Sequence, residues 1–212
     1  MHDNGFLPEG SPAQGYDASR IPGTYPLARI QDVADAVPRQ DFAELPRFVT
    51  ALNDTDATVR RWGAIGVLAL GTAAATSTAN LLRAVLATET DAFVTIPCAE
   101  ALARYAADIA ATEELARLAG PGLPAPVRIE ALNALTQLGP DALHPYHHVV
   151  VVAAEDDDEY VRGAGRYLLF RVEGTYNPEA LVFRWDKLNL PKNDLAAFNP
   201  RLAQNNAAEA DG

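Results

Sequence analysis

The residues with the clearest chemical potential lie in four places along the chain. His144, His147 and His148 form an H-x-x-H-H run. On a helix, His144 would stand near both others at i+3 and i+4, and two imidazoles so placed could hold a metal if a carboxylate completed the site. The plainer reading is a set of helix-surface residues beside Pro145 and Tyr146, and that is the expectation. The acidic run Glu155–Glu159 offers oxygen ligands of the kind calcium takes. It lacks the glycine-punctuated alternation of a calcium loop and reads as a solvated turn. Cys98 falls on an apolar helix stripe, where a thiol packs as a small hydrophobe rather than acting as a nucleophile. Arg60, Arg61, Arg128 and Arg162, with Trp62 beside the first pair, could form an interaction surface or bind an anion. Arginines at such positions more often bridge adjacent repeats by bonding to turn carboxylates and carbonyls. Ser/His/Asp combinations and glycine-rich phosphate loops are not evident, so no catalytic residue, metal or cofactor is expected.

The elements that would position these residues are set by a repeat. Val59, Val94, Val127 and Val161 recur at intervals of 35, 33 and 34 residues, and each opens an apolar stripe at i, i+3, i+4, i+7 and i+8 of a helix. The i+4 position is always small: Gly63, Cys98, Ala131, Gly165. A small residue there lets a neighbouring helix come close. Asp56, Asp91 and Asp158 sit three residues before their valines, where a carboxylate can cap a helix start, and Pro124 takes that place in the third copy. Arg60, Arg128 and Arg162 follow their valines directly, with Thr95 as the exception. Each of these helices is preceded by another helical segment, at Phe42–Leu52, Ala74–Ala87, Ala111–Leu118 and Asp141–Ala154, and Leu27–Val37 suggests a capping helix. Pro97 predicts a kink, or a helix start shifted toward Thr95. A period of this length is the signature of helical-repeat architecture. The expected fold is all-α: an α-solenoid of HEAT-like antiparallel pairs, about four repeats over 27–172, between extended arms at 1–26 and 173–212.

Composition limits the partners. The formal net charge is −11, and Lys187 and Lys192 are the only lysines. A nucleic-acid groove needs a basic stripe, so none is expected. Trp62–Leu82 contains no charge, but its polar residues and the turn at Gly71 argue against a membrane span. The first 26 residues show no apolar signal-peptide core, and Arg201–Gly212 reads as disordered.

Taken together, these motifs resemble a known family. The Asp-x-x-Val-Arg junction and the small-residue stripe are similar to HEAT-type repeats. The stretch HDNGFLPE at 2–9, then Tyr16-Asp17, then YPLARI at 25–30 narrow the match. They resemble the region that follows the catalytic domain in many bacterial sulfatases. DATVRRWGAIGV at 56–67 continues the likeness, although the usual form there has tyrosine at the position of Arg61 and alanine at that of Gly63. AEAL at 99–102, ALNAL at 131–135, YVR at 160–162, YLL at 167–169 and EGTYNP at 173–178 complete it. The resemblance spans about Met1 to Phe183. Sulfatases of this kind use a formylglycine made in a C/S-x-P-x-R motif and a calcium ion held by Asp and Asn. That motif does not occur here: Cys98 is followed by Ala99-Glu100-Ala101 and Ser11 by Pro12-Ala13-Gln14. The resemblance therefore implies a non-catalytic helical-repeat region that packs on or scaffolds a sulfate-ester hydrolase domain. It would be periplasmic or exported in that setting and cytoplasmic otherwise. The alternative is a free-standing protein–protein interaction scaffold.

Overall fold

The structure is a computed structural model that describes residues 26–173. The expected arms at 1–26 and 173–212 fall almost entirely outside the described residues, as does the expected disorder of 201–212. The described residues are all helical, with no strand among them. In chain order the helices are α1 (Leu27–Ala34), α2 (Leu45–Ala51), α3 (Ala57–Leu70), α4 (Thr72–Ser77), α5 (Ala79–Thr88) and α6 (Ala92–Ala106). They continue with α7 (Ile109–Ala119), α8 (Ala125–Leu135), α9 (Pro140–Leu143), α10 (His147–Ala154) and α11 (Glu159–Glu173).

Their packing follows chain order. Helices α1, α3, α6, α8 and α11 form an inner row in which each packs on the next. Helix α2 packs on α3, α4 and α5 on α6, α7 on α8, and α10 on α11. The valines that mark the repeat all lie in the inner row and are buried, together with Leu102, Leu132, Leu135 and Leu168. Such an arrangement follows from helices whose apolar stripe is too wide for one partner.

The punctuation acts as its chemistry requires. Asp56 accepts hydrogen bonds from the backbone N–H groups of Thr58 and Val59 at 2.9 and 3.1 Å. Asp91 accepts from Phe93 at 2.8 Å, and Asp158 from Tyr160 and Val161 at 2.9 and 3.0 Å. Each carboxylate fills donors that the first helical turn leaves unpaired. Asp108, not singled out in the sequence, caps α7 in the same way. The cap at Asp91 keeps the start of α6 at Ala92, so the start does not shift toward Thr95, and the helix runs on through Pro97.

The outer helices are more broken than their periodicity predicts, and each interruption has a local cause. Pro38 begins a separate 3-10 turn at Val37–Arg39, so α1 stops at Ala34. Asp41 starts another such turn at Phe42–Glu44 before α2, and Pro46 sits in the first turn of α2 itself. Thr78 turns its buried hydroxyl onto the Ala74 carbonyl at 2.7 Å and divides α4 from α5; a side chain that competes for helix carbonyls weakens helix continuity. Pro145 lies in a 3-10 turn, His144–Tyr146, between α9 and α10.

Small residues set how closely the pairs approach. A Cβ on Gly165 would come within 2.4 Å of the Ala153 backbone carbon and 2.5 Å of the Ala154 nitrogen, whereas one on Gly163 would meet nothing within 4 Å. Both glycines are in α11, so the same substitution has opposite signs two residues apart. Gly165→Ala is expected to destabilise the fold by about 1–3 kcal/mol through overpacking. Gly163→Ala is expected to stabilise it by about 0.5–1 kcal/mol through helix propensity. Urea unfolding of the two variants beside the parent measures both; equal shifts would contradict the close approach of α10 and α11.

Candidate functional site

The turns into α3, α6 and α11 share one construction. In each, an acidic residue two places before the cap accepts the cap residue's own N–H: Asp54 from Asp56 at 2.8 Å, Glu89 from Asp91 at 2.9 Å, Asp156 from Asp158 at 3.0 Å. The same acid receives an arginine from the preceding helix of the inner row. Arg29 meets both Asp54 oxygens at 2.7 and 2.8 Å. Arg60 meets Glu89 through Nε at 2.7 Å and Nη2 at 3.0 Å. Arg128, only 7% exposed, meets Asp156 at 2.5 Å. These hydrogen bonds hold the Glu89 carboxyl below the usual carboxylate range, with Arg60 the leading cause. Arg128 does the same for Asp156.

Arginine is suited to this task because its fork satisfies two sides at once. Arg60 Nη1 donates to the carbonyls of Asp54 and Thr55, both at 3.0 Å, while its other edge reaches Glu89. Arg162 Nη1 donates to the equivalent carbonyls of Asp156 and Asp157. The sequence exception also finds its reason. Thr95 stands where the other copies have arginine, and the next turn, 120–124, contains no acid to receive one. Thr95 instead returns its hydroxyl to the Asp91 carbonyl at 3.0 Å.

A second cluster spans three inner helices. Arg61 of α3 binds both carboxylate oxygens of Glu130 of α8, each at 3.0 Å, and lies over the Phe93 ring of α6 at 5.0 Å from its centroid. The geometry combines a forked ion pair with a cation–π contact. Glu100 of α6 stands in the same seam, with Arg104 at 3.6 Å as its ion-pair partner. Burial pushes the Glu100 carboxyl up to about 6, with Arg104 opposing and Glu130 adding to the rise. Burial also raises Glu130, against the pull of Arg61. Trp62 is half-buried against the core. Of the five residues expected to form an interaction or inter-repeat surface, Arg60, Arg128 and Arg162 thus clasp turns, Arg61 crosses the seam and Trp62 packs.

The remaining candidates do not converge. His144 lies in the 3-10 turn while His147 and His148 open α10, so the single helical face that a metal pair required is broken. His147 Nε2 contacts Glu173 at 2.9 Å. No group of three or more metal-ligating side chains occurs among the described residues. Asp156 and Asp158 of the acidic run are taken up by Arg128 and the cap of α11. Cys98 is buried, and burial pushes its thiol up to about 12, which keeps it protonated. No described helix is long and apolar enough to cross a membrane. An open groove of about 620 Å³ between α1 and α2 has a charged rim, but its Arg29, Asp32, Arg47 and Asp54 are paired with one another.

Several of these partners escape a reading by stripe alone: Arg29, Glu89, Phe93 and Glu100. A signal was present for some. The acid-x-Asp spacing recurs at 54–56, 89–91 and 156–158, and Glu130 is a carboxylate at a stripe position that holds Trp62, Pro97 and Ala164 in the other copies. Comparison with protein-family models and with curated proteins finds no match to the chain.

Two measurements test these contacts. A double-mutant cycle on Arg60→Ala and Glu89→Gln is expected to give a coupling of about 0.5–3 kcal/mol in unfolding free energy. Additive effects would mean that the clasp is not an energetic link. The second concerns Glu100. Its raised value favours the protonated folded form, so this contribution is fully present below the unfolded value of 4.5 and is lost as pH rises through about 6. Glu100→Gln removes the titration, so its stability relative to the parent is expected to grow by roughly 2 kcal/mol between about pH 4 and pH 8. A pH-independent difference would contradict the buried environment of Glu100.

Proposed function

We propose that this chain is a non-catalytic HEAT-like α-solenoid that packs on or scaffolds a protein partner, with α1 as its N-terminal cap. The observation that carries this reading is the inner row with its arginine clasps, in which the turn before one helix is bound by the helix before it. Repeats built this way expose long faces at modest chain length, which suits them to holding other proteins. The arginines that could have bound an anion are engaged in clasping turns and seams, which is the role of a frame.

For the partner, we propose a sulfate-ester hydrolase domain of the bacterial sulfatase type. This rests on the motifs at 2–9, 25–30 and 173–178 together with the repeat junctions. A second reading, a free-standing scaffold for an unrelated protein, is favoured by one observation. Arg61, found where the family's usual form has tyrosine, makes an ion pair to Glu130 across α6. Co-expression of the full chain with the sulfatase encoded nearest to it, followed by size-exclusion chromatography, separates the two. Co-elution with a fixed stoichiometry is expected. Separate elution, with no change in sulfatase activity or stability, would remove the sulfatase partner and leave the free-standing scaffold.

A further inference from the structure

We propose that Arg162, on the last described helix of the inner row, is a docking point for a partner protein that presents a helix-start turn bearing a carboxylate. The inference rests on the scaffold reading above and names the chemistry of its partner. Within the chain, an arginine in this position has a defined use. Arg60 places Nη1 on the carbonyls six and five residues before it, Asp54 and Thr55, which leaves Nε and Nη2 aimed at Glu89 in the next turn. Arg162 places Nη1 on the carbonyls six and five residues before it, Asp156 and Asp157. The guanidinium is therefore held in the same orientation from behind, and no carboxylate among the described residues forms an ion pair with its Nε–Nη2 edge.

A second feature agrees. Leu169 is only half-buried, whereas Val67, which holds the same register position in α3, is completely buried. A forked, pre-oriented guanidinium selects a carboxylate over a carbonyl or hydroxyl. The occupant that satisfies this geometry is an Asp or Glu two residues before a helix cap, as Glu89 stands to Asp91.

A peptide with the sequence of residues 79–106 of this chain carries that turn with a helix on either side, and it serves as the probe. It is titrated into the full-length, nitrogen-15-labelled chain while the Arg162 Nε–Hε resonance, assigned by its loss in Arg162→Lys, is followed. A saturable shift is expected, with binding at least about tenfold weaker (1.4 kcal/mol) for the Glu89→Gln peptide. The Arg162→Lys chain, which keeps the charge but not the fork, should weaken binding of the unaltered peptide to a similar extent. The proposal is overturned by the absence of a saturable shift up to about 1 mM peptide, by equal binding of both peptides, or by equal binding to both chains. It is also overturned if the Arg162 edge is already occupied in the free chain, by its own residues 174–212 or by a second copy. A partner that binds the chain while leaving Arg162 unaffected would sink this inference and leave the scaffold reading standing.

Discussion

A guanidinium taken out of water must be satisfied along both edges, and that requirement organises the contacts between helix pairs. Arg60 and Arg128 are largely buried at the junctions between successive pairs. One side of Arg60 is filled by carbonyls of its own turn, and the other by the acid of the following turn. Such a charge would be costly if it lacked either partner. The arginine therefore fixes the spacing between one turn and the next, not merely their attraction. The acid is constrained in turn, because Glu89 also accepts the N–H of Asp91, whose carboxylate caps α6. Cap, turn and neighbouring pair are one hydrogen-bonded unit. The close approaches at Gly63 and Gly165 can be maintained because the helices that make them start at defined places.

The middle of the row shows what happens where this unit is missing. Helix α6 has Thr95 in place of arginine, and the turn before α8 has glycines and prolines in place of an acid. The loss is matched on both sides, so neither an unpaired arginine nor an unpaired carboxylate is buried. No buried side-chain polar atom among the described residues lacks a partner. At this point the chain uses another tie. Arg61 reaches from α3 across Phe93 of α6 to Glu130 of α8, spanning the junction that has no clasp. The tie carries a cost, since burial raises both Glu130 and the neighbouring Glu100. Ion pairs in such settings contribute more to choosing one arrangement than to net stability.

The inner row was legible in the sequence because its signals are local and repeated. A valine at a fixed period, a small residue four places on and an aspartate or proline three places before specify where α3, α6, α8 and α11 start and which face each buries. The outer helices were less legible. Their apolar periodicity runs through Thr78 and Pro145, and only the competition of a hydroxyl or a missing N–H decides that the backbone breaks there. The clasping role of Arg60 and Arg128 was readable from the residue type, but their partners lie 28 and 29 residues away. The Arg61–Glu130 tie spans 69 residues, and the contact depends on how three helices lie side by side, which no stripe in a single helix encodes. The histidine run, expected as helix-surface residues, is the converse case: a shared face would need one continuous helix, and Pro145 lies in the 3-10 turn that divides it.

The clasps also give the row a direction. Each arginine reaches from the end of one turn toward the turn that follows it in the chain, never the one before. Among the described residues the series begins at α1, where Arg29 supplies the first clasp, to Asp54. Helix α1 thus provides the charge that the turn before α3 requires. A series with this polarity cannot close itself at the other side by the same device, since the last arginine always points beyond the last turn. Among the described residues the last such arginine is Arg162, whose Nε and Nη2 form no ion pair with a described carboxylate. The same arithmetic holds at the described clasps, each of which has a donor before it and an acceptor after it.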